Sequence, residues 1–129
     1  MKTEVKTSNA PEPIGPFSQA VTAGNMVFVS AQLAKNTTTN KIVMDNIEAE
    51  TKQVMENIRA ILKEADVDFG NVVKSSIFLK DMQNYAKVNE VYSSYFSAPY
   101  PARETIQVGA LPMYVNIEIS VIALKNNGA

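Results

Sequence analysis

Two side chains in the last third of the chain have the chemistry to act on a small anion. Arg103 lies in the stretch YPARETIQV, between a proline and a short strand-like run, and Glu118 lies in the strand-like run VNIEISV. An arginine stays charged at physiological pH, and its planar fork of donors matches a carboxylate in bidentate geometry. A carboxylate such as Glu118 can position or deprotonate a water molecule.

Two interpretations of Arg103 and Glu118 stay open from their spacing. If the two runs pair as neighbouring strands on a face that an oligomer buries, both charges leave bulk water, and each needs a partner or a ligand. In the first interpretation, which spacing alone favours, they form a solvated or interfacial ion pair. In the second, Arg103 binds a small 2-keto or 2-imino acid while Glu118 acts on a water.

Other polar residues near apolar runs have two interpretations as well. Asn89 shares a predicted helical face with Tyr85 and Tyr92, so its amide either bonds to nearby backbone or reaches across a subunit boundary towards the site. Ser30 ends the strand-like run MVFVSAQ, where its hydroxyl either bonds to the adjoining loop or lines the site. The tyrosines of this helix are predicted to pack in the core or an interface, with no catalytic role.

The sequence contains no cysteine and no histidine. Disulfides, thiolate nucleophiles, the Ser-His-Asp arrangement and the usual zinc and iron ligand sets are therefore excluded. We expect no metal and no cofactor. Any chemistry must use carboxylates, arginine, lysine, hydroxyls, backbone groups or water.

Charge and hydropathy limit where in the cell the protein can be expected and what it can be expected to bind. The net charge is −1 with an isoelectric point near 5.4, and the lysines are scattered singly, so no basic patch predicts binding to nucleic acid. The N-terminal stretch MKTEVKTSNA lacks the apolar core of a signal peptide, and no apolar run is long enough to cross a membrane. We expect a cytoplasmic protein.

Two helices are predicted from apolar periodicity. Asp45 followed by Glu48 resembles a capping box, and the apolar positions after it recur at three- and four-residue steps, which predicts a helix over 46–65. A second stripe over 82–96 predicts another helix, which ends before Pro99 because the residue preceding a proline resists the helical conformation.

Strand-like runs surround these helices and predict one α+β domain over 1–129 with the order ββαβαββ, in which two helices pack on one face of one sheet. A two-residue turn is expected at Gly24-Asn25 and a polar loop over 32–44. In the run VVKSSIFL one face is predicted to carry Val73, Ser75, Ile77 and Leu79.

The last predicted strand has one apolar face and one face of mixed character. One face should pack under the helices: Val115, Ile117, Ile119, Val121 and Ala123. The other mixes polar groups with large aliphatic ones: Asn116, Glu118, Ser120, Ile122 and Leu124. Since no third layer remains in the chain to cover this outer face, we expect another copy of the protein to cover it.

In several stretches the sequence closely resembles the RidA/YjgF family, the reactive-intermediate imine/enamine deaminases. The matching stretches cover nearly the whole chain in family order: NAPEPIGPFSQAV, GNMVFVSAQ, VVKSSIFLKDMQNYAKVNEVYSSYF, PARETIQV, LP and VNIEISVIAL. The combination of IGPFSQ with PAR and IEI is specific, whereas one of these motifs alone would be weak.

The resemblance implies a chorismate mutase-like fold and a homotrimer whose three sheets line a central barrel, with ligand clefts between subunits. It implies that Arg103 binds the substrate carboxylate, that Glu118 is linked to the hydrolytic water and that Thr105 offers backbone groups to the ligand. Further residues would line or support the same cleft: Phe17, Ser30, Ala31 and Asn89. The implied reaction is hydrolysis of 2-imino or 2-enamino acids, including tautomers of 2-aminoacrylate, to 2-keto acids and ammonia.

The sequence departs from the family pattern at three of these positions. Phe17 stands where many members have tyrosine, Thr105 where many have cysteine, and Ala31 where glycine is common, so substrate preference need not match that of other members. A non-catalytic trimer that binds 2-keto acids or similar metabolites is the alternative function. A ribonuclease or translation inhibitor is a third, which the absence of histidine and of a basic stripe disfavours.

Overall fold

The computed structural model describes residues 1–126, in which a six-stranded sheet has the order β1-β2-β3-β8-β6-β7. A separate hairpin pairs β4 with β5. The strands are β1 (Lys2–Val5), β2 (Ala20–Ala23), β3 (Met26–Gln32), β4 (Lys35–Asn36), β5 (Lys41–Ile42), β6 (Val72–Leu79), β7 (Ala102–Gln107) and β8 (Ile117–Leu124), and the helices are α1 (Ile47–Glu64) and α2 (Tyr85–Ser93).

The α+β prediction with two helices on one sheet is confirmed, and the ββαβαββ pattern lacked three short strands. β1 joins the edge of the sheet, and the β4–β5 hairpin occupies part of the stretch that was predicted to be a loop. The turn between β2 and β3 is as predicted, since Ala23 pairs with Met26 and Gly24 takes a φ of 61°. A positive φ there is easily adopted by glycine, which has no β-carbon to clash.

Helix α1 and its N-cap both begin one residue later than predicted. The side chain of Asn46, not Asp45, accepts a hydrogen bond from the backbone N–H of Ala49, at 2.8 Å. The predicted range was otherwise correct, because the apolar stripe of the helix is fully buried against the sheet. The capping box expected from Asp45 and Glu48 is therefore wrong: Asn46 is the N-cap, and Ala49 has no polar side chain that could bond back to it.

Helix α2 is shorter than the stripe over 82–96 predicted. Residues Met82–Asn84 form a separate 3₁₀ turn, and α2 ends at Ser93. Tyr95 and Phe96 follow the helix and still pack on the core, so the apolar stripe identified burial more reliably than it identified helix length.

The pairing of β7 corrects the expected strand order. β7 pairs in parallel with β6, and β6 lies between β7 and β8, so the strands carrying Arg103 and Glu118 are not neighbours. Ser75, in the middle of β6, is opposite Arg103 on one side and opposite Val121 on the other. Paired residues in register lie on the same face of a sheet, so this register decides which face each side chain occupies.

The two faces of β8 are confirmed. Its helix-facing residues are all buried, and its outer residues are half-buried or exposed. The outer face of the whole sheet also exposes large apolar side chains, including Phe28, Ile106 and Leu124 at 41%, 46% and 40% exposure. In β6 the prediction was right for Ser75, Ile77 and Leu79 and wrong for Val73, which is exposed because the register shifts between Val72 and Lys74.

The polypeptide before β2 is extended and irregular, as its prolines predict, and one buried side chain fixes it. Gln19 accepts a hydrogen bond from the backbone N–H of Thr7 and donates to the carbonyls of Thr7, Ala10 and Pro11. These hydrogen bonds hold the segment that carries Phe17 in place. Among residues 1–126 no helix combines the length and the apolar character that crossing a membrane requires.

Candidate functional site

Arg103 projects from β7 towards α2 and lies in a cleft that is rich in aromatic side chains. Its guanidinium carbon is 5.0 Å from the ring centroid of Tyr92 and 5.6 Å from that of Tyr85. Its Nη2 donates a hydrogen bond to the Tyr85 hydroxyl at 3.0 Å. We call this surface the arginine cleft; it is lined by Asn89, Tyr92, Ser93, Tyr100, Pro101 and Arg103.

The position of the guanidinium is set by well-anchored neighbours. The Tyr92 hydroxyl donates to Ser75 Oγ at 2.8 Å, deep under α2, and this fixes the ring over which the guanidinium lies. None of the ion pairs within residues 1–126 includes Arg103. A cation held over two rings with no carboxylate beside it can accept an anionic ligand.

Two buried oxygens near Arg103 have no hydrogen-bond partner within the described chain: Asn89 Oδ1 and Thr105 Oγ1. Asn89 lies in the cleft, and Thr105 follows Arg103 by two residues on the same face of β7. A buried oxygen without a partner costs free energy, so such groups are uncommon in folded proteins. Both oxygens are therefore available to a ligand or to a second protein chain.

Glu118 occupies a different place, a mainly apolar cavity on the other side of the sheet. Phe17, Ala31 and Met113 contribute to its walls, and Glu118 is half-buried there. Burial raises the pKa of Glu118 above its ordinary value. We call this surface the glutamate cavity; it is lined by Pro11, Glu12, Pro13, Ile14, Phe17, Gln19, Ala31, Gln32, Leu33, Lys35, Pro112, Met113 and Glu118.

The start of β8, and with it Glu118, is held by a carboxylate from α1. Glu50 is fully buried, and its two oxygens accept hydrogen bonds from the backbone N–H of Asn116 at 2.9 Å and from its side-chain amide at 2.8 Å. Asn116 lies two residues before Glu118. The buried Glu50 therefore has a structural role and fixes the strand end from which Glu118 projects.

Ser30 belongs to the wall beside the glutamate cavity, and its hydroxyl has a structural partner. The β3–β8 register shifts between Val29 and Gln32, which places Ser30 and Ala31 in an irregular part of β3. The Ser30 hydroxyl donates to the carbonyl of Ser18 at 2.7 Å. Of the two interpretations of Ser30, the structure favours a bond to the adjoining loop.

The expected meeting of Arg103 and Glu118 within one chain is wrong. Arg103 is in register with Ser75 on the helix-covered face, whereas Glu118 is in register with Phe78 on the outer face. The sheet separates the two groups, so they form neither an ion pair nor a joint site in a single copy. Accordingly, burial raises the pKa of Glu118, and Arg103 is not among the causes of this shift.

The predicted site residues fall into two groups. Arg103, Asn89 and Thr105 lie at or beside the arginine cleft, and Phe17, Ala31 and Glu118 line the glutamate cavity, with Ser30 next to Ala31. Within residues 1–126 the structure contains no group of three or more acidic, histidine or cysteine side chains that could hold a metal ion.

The sequence prediction missed the part that Tyr85 plays. We expected the tyrosines of α2 only to pack, which holds for the buried Tyr92, but Tyr85 is exposed and bonds to Arg103. The spacing of Tyr85, Asn89 and Tyr92 placed all three on one helical face. What the sequence did not reveal is that β7, rather than the core, lies opposite the first turn of that face.

Comparison with known proteins supports the fold and finds relatives over nearly the whole chain, one of which is named for an enzymatic activity. The family model described as Endoribonuclease L-PSP matches residues 7–125. A RutC family protein from Pyrococcus horikoshii is 47% identical over 125 residues, which cover 97% of this chain and 99% of that protein. The 2-iminobutanoate/2-iminopropanoate deaminase of Mus musculus is 40% identical over 121 residues, with 94% and 90% covered.

The solved structures include one with a bound amino acid. Escherichia coli TdcF with bound serine superposes with a TM-score of 0.91 at 35% identity, covering 96% of this chain and 99% of that one. Such agreement over nearly the full length confirms the fold that the sequence resemblance implied.

Proposed function

The chain belongs to the RidA/YjgF family, and from that premise we propose that it hydrolyses 2-imino and 2-enamino acids to 2-keto acids and ammonia. The observation that carries the proposal is the guanidinium of Arg103, which forms no ion pair within residues 1–126 and lies over two aromatic rings in an open cleft. An imino acid offers the carboxylate that this cation lacks. The mouse relative is named for this activity, and TdcF binds serine, which is also a carboxylate with a nitrogen on the next carbon.

The polar atoms around Arg103 suit the rest of such a ligand. Asn89 Oδ1 is buried without a partner and can accept a hydrogen bond from the imine or amine nitrogen. Thr105 lies on β7, an edge strand, so the backbone groups along its outer side have no strand partner among residues 1–126. These groups can bond to the ligand beside Arg103.

We propose that the site is completed by a second copy, whose glutamate cavity faces the arginine cleft of the first. Three features support this: the two halves lie on opposite faces of one sheet, the outer face exposes large apolar side chains, and the β7 edge is open. A contact between two different patches of the same chain is heterologous and can close into a ring. A ring of three copies is the assembly that the family resemblance implies.

In this arrangement the reaction needs only protein side chains and water. The substrate carboxylate binds Arg103, and Glu118 from the neighbouring copy takes a proton from a water as that water attacks the C2 carbon of the imine. The imine reacts in its protonated form, so this attack gives a neutral carbinolamine. Glu118 then passes the proton from the water to the carbinolamine nitrogen, the C2–N bond breaks as the hydroxyl proton is lost to solvent, and ammonia and the keto acid leave. The raised pKa of Glu118 brings the carboxylate closer to the operating pH, which makes it a more effective base.

The family description names an endoribonuclease, and the chain offers less support for that activity. It contains no histidine, and its net charge is −1, so neither the usual general acid–base group nor a basic surface for a phosphate backbone is present.

The test is a coupled assay in which an amino-acid oxidase or a dehydratase generates the imine and the release of keto acid is timed. We expect acceleration by the protein and a loss of about 100-fold to 10,000-fold in Arg103→Ala, because two charge-assisted hydrogen bonds of ~1.5–3 kcal/mol each disappear. Arg103→Lys should recover only part of the rate, since lysine keeps the charge without the fork. Arg59→Ala is the matched control and should keep the rate.

Each result of this assay has a distinct meaning. A wild-type rate in Arg103→Ala would contradict the proposal. Dissociation of the oligomer in Arg103→Ala would instead favour an interfacial ion pair. Tight binding of 2-oxobutanoate without any acceleration of ammonia release would indicate the alternative, a module that binds keto acids without catalysis.

A further inference from the structure

The hydroxyl of Tyr85 lies beside the guanidinium donors that would bind a ligand. Arg103 Nη2 donates to it at 3.0 Å, and the Tyr85 ring lies under the guanidinium with 5.6 Å between the ring centroid and the guanidinium carbon. The Tyr85 side chain is 41% exposed, so a molecule arriving from solvent can reach it. Tyr85 is therefore part of the surface that an anion meets on its way to Arg103.

The Tyr85 hydroxyl still has its proton available to donate. Its oxygen accepts a hydrogen bond from Arg103, and the side chain of Asn89 lies near enough to lower its pKa. A phenol has one O–H to donate, and none of the hydrogen bonds within residues 1–126 uses the Tyr85 O–H as the donor. The proton is thus free to point at the space that the guanidinium also faces.

We propose that Tyr85 is a further ligand-binding residue, whose O–H donates a hydrogen bond to the same carboxylate that Arg103 holds, so that the cleft binds an anion more tightly while Tyr85 is protonated. The inference rests on the proposed function, because it takes the ligand to be a carboxylate on Arg103. It adds a second donor to the anion site and gives the site a pH limit of its own.

The surroundings of Tyr85 place that limit below the range in which a free tyrosine titrates. The pKa of Tyr85 lies below its ordinary value because of its hydrogen bonds with Asn89 and Arg103 and because of the positive charge of Arg103. Two other tyrosines lie at the arginine cleft: Tyr92, whose pKa is raised by burial, and Tyr100. Lys74 and Glu104, which pair with each other at 3.0 Å, lie on the opposite face of the sheet.

Deprotonation of Tyr85 would reverse its effect on a ligand. A phenolate next to Arg103 offsets the positive charge and repels a carboxylate, whereas the neutral phenol donates to it. Anion affinity should therefore be present below the pKa of Tyr85 and fall as the pH rises through it. By linkage, the bound anion must lower the acid dissociation constant of Tyr85, and so raise its pKa, by the same factor by which deprotonation weakens binding.

The experiment measures binding of 2-oxobutanoate by calorimetry between pH 7 and pH 10.5 for the wild type, Tyr85→Phe and Tyr95→Phe. At pH 7 we expect Tyr85→Phe to bind about tenfold more weakly, as fits the loss of one hydrogen bond to a charged group. The wild-type affinity should fall at alkaline pH, and this fall should be absent in Tyr85→Phe. Tyr95→Phe is the control, because its hydroxyl bonds to Glu56 and lies outside the arginine cleft.

A second measurement follows the tyrosine directly. Tyrosinate absorbance, compared between the wild type and Tyr85→Phe, gives the pKa of Tyr85 with and without saturating 2-oxobutanoate, and we expect the ligand to raise it. The inference is wrong if Tyr85→Phe binds as the wild type does at pH 7, if the alkaline fall persists in that variant, or if the ligand leaves the pKa unchanged. Wild-type binding by Arg103→Ala would overturn the proposed function itself, which separates the two failures.

Discussion

The two arginines of the chain have similar surroundings and differ in one partner. Arg59 and Arg103 each lie over two aromatic rings, with centroid distances of 5.1 and 5.8 Å for the first and 5.0 and 5.6 Å for the second. Arg59 also has the carboxylate of Glu56 at 3.7 Å. Among residues 1–126 no carboxylate forms an ion pair with Arg103.

This difference separates an arginine with a structural partner from one that can bind a ligand. Aromatic rings hold a guanidinium in place and remove part of its water, but they do not neutralise its charge. For Arg59 the chain supplies the anion itself. Around Arg103 it supplies instead two buried oxygens, on Asn89 and Thr105, that have no hydrogen-bond partner among residues 1–126, and no carboxylate of these residues occupies the place of the anion.

Arg103 would be a structural arginine like Arg59 if its anion were Glu118 of a neighbouring copy rather than a ligand. Glu118→Gln distinguishes a base from a counter-ion. If Glu118 is the base, the variant should lose about 100-fold or more of the hydrolysis rate, which is the usual contribution of a general base. Its affinity for 2-oxobutanoate and its assembly should stay unchanged.

The pH profile gives this variant a second readout. Because burial raises the pKa of Glu118, the wild-type kcat/KM should rise with pH through a pKa above the ordinary carboxyl value and be lost as the pH falls below it. The limb should be absent in Glu118→Gln, while Glu64→Gln, at an exposed position of α1, should keep it. Weaker assembly with an unchanged rate would identify Glu118 as the counter-ion of Arg103.

Asn89→Asp sharpens the comparison by giving Arg103 the carboxylate that Arg59 already has. Asn89 lines the same cleft and shares Tyr85 with Arg103, so an aspartate there places an anion next to the guanidinium. We expect the affinity for 2-oxobutanoate at pH 7 to fall by about tenfold to 100-fold, because a built-in anion competes with the ligand and repels it.

Protonation of the new carboxyl should restore part of that affinity at acid pH. Asn40→Asp, in the exposed turn between β4 and β5, adds the same charge away from the cleft and serves as the control. An affinity in Asn89→Asp equal to that of the wild type would mean that the ligand does not occupy the arginine cleft.

The sequence predicted most of the local structure because periodicity reports burial. The stripe of α1 and the alternation along β8 each depend on one element facing one core, so they survive without knowledge of the neighbours. The helix cap was missed by one residue because Asp45 and Asn46 are both good caps, and only the backbone path chooses between them. The β4–β5 hairpin has two residues in each strand, which is too short for a periodic signal.

For the candidate site, the sequence predicted which residue types take part but not where they lie relative to one another. Arg103 and Glu118 were identified correctly as charges on strands, but their faces depend on which strands pair, and that is a non-local property. β7 follows α2 and returns beside β6 in parallel, a connection that neither run of sequence reveals. The role of Tyr85 depends on the same pairing, because it arises only where β7 lies under the start of α2.

The smallest expected effect tests whether the oxygens near Arg103 are left for a ligand. Tyr92→Phe removes a hydroxyl that donates to Ser75 within the core, and should lower the free energy of unfolding by about 1 kcal/mol. Thr105→Val removes a hydroxyl that has no hydrogen-bond partner in the part of the chain that the structure describes. It should change the free energy of unfolding by less than about 0.5 kcal/mol or raise it, because a methyl group needs no partner. Chemical denaturation of both variants makes the comparison. A loss of 1 kcal/mol or more in Thr105→Val would mean that a second protein chain, rather than a ligand, satisfies this hydroxyl.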